Sequence, residues 1–175
     1  DEDGWLRTGD VGMIFPNGSL KIIDRAKNIF KLSQGEYIAP EKLENVYIQS
    51  PLVQQVYVYG CSLQSYLISI ATADPGQVKK WATEKGNYIY LTSLLGIDTT
   101  DLNEVCKSEA LQKAVIAEFN RLATDNKFSG LERIKQVHIL LEPFSIENDL
   151  LTPTMKIKRN IAQKTFQTVL DELYT

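Results

Sequence analysis

Two runs, Val53 to Tyr59 and Tyr66 to Ala73, constrain this chain most. Both are dense in β-branched and aromatic side chains, which suit a pleated, half-buried surface, and only Gly60-Cys61-Ser62 and a few polar residues separate them. That spacing predicts an antiparallel strand pair whose register is left open. Helical signals surround it. Pro40 suits a first helical turn, Glu41 suits its positive end, and Leu43, Val46 and Tyr47 recur at i, i+3, i+4, so residues 40 to 49 read as an amphipathic helix stopped by Ser50-Pro51. Asp74-Pro75 opens another helix; residues 75 to 85 and 88 to 95 read as short helices broken at Gly86-Asn87 and Gly96. Leu111, Val115, Phe119 and Leu122 mark a firm helix capped by Ser108. Residues 135 to 142 read as a strand. A last helix is expected from Asn160, with Gln163 in capping-box relation and Ala162, Phe166, Val169, Leu170 and Leu173 as its buried stripe.

Upstream, Val11 to Phe15 and Leu20 to Asp24 flank Pro16-Asn17-Gly18, a hairpin signal because Asn and Gly both tolerate positive φ. The polar kink Arg25-Ala26-Lys27-Asn28 follows, then a short strand over Ile29 to Leu32, then Ser33-Gln34-Gly35-Glu36, a turn in which Gly35 is the natural positive-φ residue. The expected fold is therefore α+β, a small mixed sheet with flanking helices, preceded by a β-hairpin that belongs to something larger. A boundary at the kink divides residues 1–27 from 28–175. Asp1 to Gly4 carry no Met, no basic segment and no apolar segment, so the chain is expected to be a fragment with no signal peptide at its start.

Composition narrows the function. With 19 Lys+Arg interspersed among 22 Asp+Glu, no block of one sign offers a counterion-releasing surface, so nucleic acid is not an expected partner. The 43% hydrophobic content supports a packed core without staples, and Cys61 and Cys106 are too few to form a disulfide framework, which points to a reducing compartment. No apolar run approaches the roughly 20 residues that span a bilayer.

One histidine, no metal-ligand cluster, no nucleophile elbow and no Walker-type loop leave few places for chemistry. Gly4-Trp5-Leu6-Arg7-Thr8-Gly9-Asp10 ends a glycine turn in a carboxylate, which reads either as a plain surface turn or as an acceptor for two ribose hydroxyls. Thr152-Pro153-Thr154-Met155-Lys156-Ile157-Lys158-Arg159 delivers three cations from a proline-stiffened loop. Such a run reads as a solvated face, or as one lysine bridging two anions that must react; at ~4 Å and an effective dielectric near 20 such a contact is worth about 4 kcal/mol before desolvation. His138, in an apolar strand with no Ser, Cys or Asp partner placed near it, reads as a packed or edge residue. Trp5, Trp81, Tyr57 and Tyr59 read as core or sheet packing, and Tyr37 could face a ligand.

The same strings carry a resemblance. Trp5-Leu6-Arg7-Thr8-Gly9-Asp10, Ile23-Asp24-Arg25-Ala26-Lys27, the run from Ile29 through Gln34-Gly35-Glu36-Tyr37-Ile38-Ala39-Pro40-Glu41 to Glu44, and Leu150-Leu151-Thr152-Pro153-Thr154-Met155-Lys156 resemble the C-terminal third of the long-chain fatty acyl-CoA synthetases, in the adenylate-forming superfamily. The likeness runs in order along the whole chain. It implies an ATP-dependent acid–thiol ligase that activates a long-chain fatty acid as acyl-AMP and passes the acyl group to coenzyme A, with Mg²⁺ held by residues upstream. By resemblance, Lys156 is the mobile lysine that meets the substrate carboxylate and α-phosphate, Asp10 and Arg25 bind ATP or AMP, Lys27 is the hinge, and Gly35 lines the CoA channel. Two positions depart from the wider superfamily: Asp24 and Met155 stand where a glycine is usual.

The implied partners are the fatty acid, ATP, CoA and the N-terminal domain of the same chain, without which this piece is expected to be inactive. Any peripheral membrane association is assigned to upstream sequence, and the expected location is intracellular, cytoplasmic or on the surface of an organelle. Two alternatives remain at this point: an acyl-AMP ligase that delivers to a carrier protein, and a non-catalytic interaction domain that keeps the fold.

Overall fold

A computed structural model describes Glu2 and residues 4–175 of the chain; the expectation drawn from Asp1 to Gly4 falls partly on Asp1 and Asp3, which lie outside the described residues. Strands β1 (Asp10–Ile14) and β2 (Leu20–Arg25) form the expected hairpin, with Ile14 opposite Leu20 and Asp10 opposite Arg25. Its loop is not a two-residue Asn-Gly turn. Pro16 sits second in a turn closed by Gly18 N–H donating to the Phe15 carbonyl, Phe15 N–H donates to Ser19, and only Gly18 takes positive φ, at 83°. Proline pre-sets that turn and glycine supplies the left-handed residue that returns the chain to the strand.

After the kink come β3 (Phe30–Lys31) and β4 (Tyr37–Ile38), a second small hairpin joined through Gly35 at φ 93°. Then α1 (Pro40–Tyr47) leads into β5 (Val53–Tyr59) and β6 (Leu67–Ala73), antiparallel as expected, with Val56 opposite Ala71. β7 (Ile134–Leu140) pairs parallel to β6 and completes a mixed three-stranded sheet in the order β5-β6-β7. As the central strand β6 is buried along its whole length, which is why it reads as a mostly apolar run interrupted only by the small polar residues Ser69 and Thr72.

The pleat sends alternate residues to two cores. Val56, Val58, Leu67, Ala71, Val137 and Ile139 join a large cluster with α1, α2 (Pro75–Thr83), α4 (Leu102–Lys107) and α5 (Glu109–Asp125). Tyr57, Ile68 and Ile70 face the other way, onto Phe144, Leu150, Leu151 and the C-terminal helices α6 (Arg159–Thr165) and α7 (Gln167–Leu173). Tyr47 anchors the larger core: it is fully buried, its ring centroid lies 4.7 Å from that of Phe119, and its hydroxyl donates to the Glu132 carbonyl at 2.8 Å.

Several local expectations need correction. The break after α2 falls at Glu84, in extended conformation, so Gly86 and Asn87 lie inside α3 (Lys85–Ile89), which runs on as a π-helical turn over Tyr90–Leu94. Asn87 Nδ2 donates to the Trp81 carbonyl, a link across the break that backbone propensity alone does not reveal. The last helix begins one residue early, with Lys158 at its cap and no side-chain capping bond; Gln163 reaches Tyr59 Oη at 3.3 Å instead of closing a capping box. The helix also divides at Phe166, whose φ of −101° ends α6. Trp5, expected to pack, is 75% exposed, and Ile14, Leu20 and Ile22 on the β1–β2 hairpin are exposed too.

Candidate active site

The lysine loop is built from its anchors outward. Leu150 and Leu151 are buried in the smaller core, their backbone N–H groups donate to the Ser145 carbonyl, and Leu151 bridges to Ile157 across a narrow hairpin. Thr152 closes the tip: its N–H donates to the Lys156 carbonyl at 2.8 Å and its Oγ1 accepts from Lys156 N–H at 3.1 Å. Met155 adopts φ 61° there, which explains why glycine suits this position: a left-handed non-glycine residue costs about 1–2 kcal/mol.

The three cations of this run separate in space. Lys158 Nζ lies 2.5 Å from Asp149 Oδ1, and Arg159 bonds Glu44 Oε2 at 2.5 Å in a pair with only 15% and 12% of the side chains exposed. Lys156, 65% exposed, has only a loose contact at 3.6 Å with Glu41, the kind of surface pair worth under about 1 kcal/mol. The run is neither a uniform solvated face nor three equivalent ligands: two cations pin the loop and Lys156 is left to project. It lines a cleft of about 300 Å³ with Glu41, Glu44, Gln55, Met155 and Arg159.

Glu44 lines the cleft with its carboxylate held by two donors. Its carboxylate accepts from Val58 N–H at 2.8 Å as well as from Arg159, while the Arg159 guanidinium also donates to the Val58 carbonyl and sits over the Tyr57 ring. Burial pushes the Glu44 carboxyl up to about 7, against the opposing pull of Arg159 and Val58 N–H.

Hairpin register determines the second group. Because Asp10 and Arg25 are cross-strand partners, Arg25 Nε reaches Asp10 Oδ1 at 2.9 Å, and an Arg25 guanidinium nitrogen donates to the Thr8 carbonyl at 3.2 Å. Gly9, at φ 76°, turns its carbonyl to accept from Ala26 N–H, tying the glycine turn to the kink. Lys27 is exposed within that kink, third in a turn closed by Asn28 N–H on the Arg25 carbonyl. Gly35 stands apart at the tip of the β3–β4 hairpin; neither it nor Lys27 lines the cleft.

Sequence reasoning did not find Glu44 and Arg159 as a pair, 115 residues apart, although Glu41 and Glu44 at i, i+3 already share one helix face. His138 is half-buried on β7, and burial lowers its pKa, in keeping with a packed residue. Among the described residues no group of three or more His, Cys, Asp or Glu is placed to hold a metal ion; the Mg²⁺ that the resemblance implies is expected on residues upstream, and no step below runs through it. No helix among them is long and apolar enough to cross a membrane.

No protein-family model matches the sequence. Individual proteins do. The peroxisomal long chain acyl-CoA synthetase 6 of Arabidopsis thaliana is 45% identical over 99% of this chain and 23% of its own length. The long-chain-fatty-acid–CoA ligase 5 of Rattus norvegicus is 45% identical over 99% of the chain and 24% of its own. The chain thus spans about a quarter of the length of these relatives, at their C-terminal end. Among solved structures, the A domain of carboxylic acid reductase from Segniliparus rugosus, in complex with AMP and a co-purified carboxylic acid, superposes with a TM-score of 0.81 at 31% identity over 99% of this chain and 24% of its own. The anthranilate CoA ligase AuaEII, at 22% identity and TM-score 0.57, shares the fold. Sequence and architecture agree that the chain corresponds, over its whole length, to the C-terminal quarter of the long-chain acyl-CoA synthetases and shares the fold of adenylate-forming enzyme domains.

Proposed function

We propose that the chain is the mobile C-terminal part of an ATP-dependent long-chain fatty acid–CoA ligase, with residues 1–27 ending the large adenylation domain and residues 28–175 forming the domain that moves. The observation that carries this is the sorting of cations in the lysine loop. Asp149 and Glu44 occupy Lys158 and Arg159, and Lys156 alone extends from a hairpin stiffened by Pro153 and the Thr152 bonds. A single exposed cation on a fixed mount suits a reaction between two anions. The fatty acid carboxylate oxygen bonds to the α-phosphorus of ATP, the bond to pyrophosphate breaks, and Lys156 offsets the repulsion between the reacting groups. Asp10 accepts from the ribose hydroxyls, and Arg25, held beside it, contributes a donor to the same nucleotide.

In the second step the CoA thiolate attacks the acyl carbonyl and AMP leaves. Rotation about Lys27 would withdraw Lys156 and bring the Gly35 turn to the site, so two faces of one small domain serve two half-reactions. The uncovered apolar side chains of the β1–β2 hairpin are consistent with burial against the larger domain.

The test joins this chain to the N-terminal three-quarters of the rat ligase and measures each half-reaction. Lys156→Ala should lower acyl-adenylate formation by about 100-fold or more, the scale of losing one preorganised electrostatic contact, while leaving CoA acylation from synthetic acyl-adenylate near the parent rate. Equal losses in both steps would refute the two-orientation role. Transfer to a carrier protein but not to free CoA would favour the carrier-dependent alternative.

A further inference from the structure

Helix α1 cannot cap itself. Its N-cap is Ala39, with no side-chain acceptor, and Pro40 at the first position has no N–H, so Glu41 N–H is the first donor left without an intrahelical partner. The missing acceptor comes from 17 residues upstream, where Asp24 Oδ2 accepts from Glu41 N–H at 3.0 Å. The carboxylate is 3% exposed and fully engaged: Oδ1 accepts from Arg25 N–H at 2.7 Å and from Asn28 Nδ2 at 3.3 Å. Asn28 also donates to Glu41 Oε1 at 3.1 Å, and Glu41 Oε2 faces Lys156 Nζ. Contacts therefore run without a gap from Asp10 through Arg25, Asp24 and Glu41 to Lys156, spanning the kink on the way.

We propose that Asp24 and Asn28 form a latch that ties the end of the β1–β2 hairpin to the N-terminus of α1, and that they act as positioning residues for adenylation by holding the orientation in which Lys156 and the Asp10–Arg25 pair are linked. This rests on the ligase reading. The latch straddles the kink, so swinging the small domain away must break it, and its strength sets how readily the chain leaves this orientation. It also accounts for an aspartate where the wider superfamily favours glycine: glycine leaves Glu41 N–H without this acceptor.

Asp24→Asn keeps the shape but offers one acceptor oxygen to three donors, and Asn28→Ala removes the bridge while leaving the cap. Native-state hydrogen exchange on this chain reads the latch directly. The Glu41 amide should exchange at least about tenfold faster in D24N, the equivalent of losing one charge-assisted hydrogen bond. An unchanged Glu41 amide overturns the latch. In the rat chimera, both variants should slow acyl-adenylate formation by about tenfold while transfer from synthetic acyl-adenylate to CoA stays within about twofold, since a population shift penalises only the orientation it empties. Equal loss in both half-reactions marks a purely structural role and overturns the positioning assignment. A parent chimera that makes no acyl-adenylate overturns the ligase reading and the positioning role with it, and the exchange result still decides the latch.

Discussion

Replacing Arg159 with Met should destabilise the chain in a pH-dependent way. The substitution removes three contacts in a site where Arg159 and Glu44 are 15% and 12% exposed: the bond to Glu44, the bond to the Val58 carbonyl at 3.3 Å, and the cation 5.6 Å from the Tyr57 ring centroid. Breaking a buried pair by removing one partner costs about 3–5 kcal/mol when the survivor stays charged. Glu44 has an exit, because burial already raises its pKa from 4.5 to about 7.

A carboxyl whose folded pKa is raised favours the folded state below its unfolded value, and that contribution is lost as pH rises through the folded one; over this span the loss is at most about 3.4 kcal/mol at 1.36 kcal/mol per pH unit. Without Arg159 the folded pKa climbs further, so the loss continues to higher pH in the variant than in the parent. At pH 5.5, where Glu44 is neutral in both, the loss is mainly that of the guanidinium's bond to the Val58 carbonyl and its contact with the Tyr57 ring, about 1–2 kcal/mol. At pH 8 the penalty should reach about 3 kcal/mol. Urea unfolding of both proteins at the two pH values measures the difference. A penalty at pH 5.5 equal to or larger than that at pH 8 would refute the argument, because Glu44 would then be ionised across the whole window.

Three further outcomes follow from the same geometry. In the rat chimera, Asp10→Ala should weaken ATP binding by about 1.5–3 kcal/mol, the range for a hydrogen bond to a charged group, as read by calorimetric titration; unchanged affinity removes Asp10 from the nucleotide site. Met155→Gly should raise the urea midpoint slightly, since relief of about 1–2 kcal/mol at φ 61° exceeds the roughly 0.5–1 kcal/mol entropic cost of glycine, and a lower midpoint would show that Met155 contributes packing the turn needs. Gly60→Ala should destabilise by about 1–3 kcal/mol through overpacking, because its Cβ would stand 2.6 Å from Phe30 Cε2 and 2.9 Å from Leu67 Cδ2; thermal unfolding at the parent temperature would contradict this.

Local chemistry, read along the chain, determined most of the elements. The β-branched and aromatic runs at 53–59 and 66–73, the Pro40 and Asp74-Pro75 helix starts, the Ser108 cap and the stripe through Leu111, Val115, Phe119 and Leu122 all depend on residues within one or two turns of each other, so their signals survive in one dimension. Where partners were distant, the same reasoning misplaced details. Gln163 bonds Tyr59 rather than its own helix end, Asn87 reaches back to Trp81, and α4 forms where Asp101 caps a segment with little periodicity. The motif strings marked Asp10, Arg25 and Lys156 individually. Tertiary structure alone paired Asp10 with Arg25 through hairpin register, and it alone separated Lys156 from its two neighbouring cations. That separation depends on Asp149, which holds Lys158, and on Glu44, brought from α1 to Arg159 across 115 residues; Asp24 likewise meets its partner only in the fold, its carboxylate ending under a helix that begins 16 residues later. Buried charges need partners wherever the fold can bring them, and proximity in space has no counterpart in spacing along the chain.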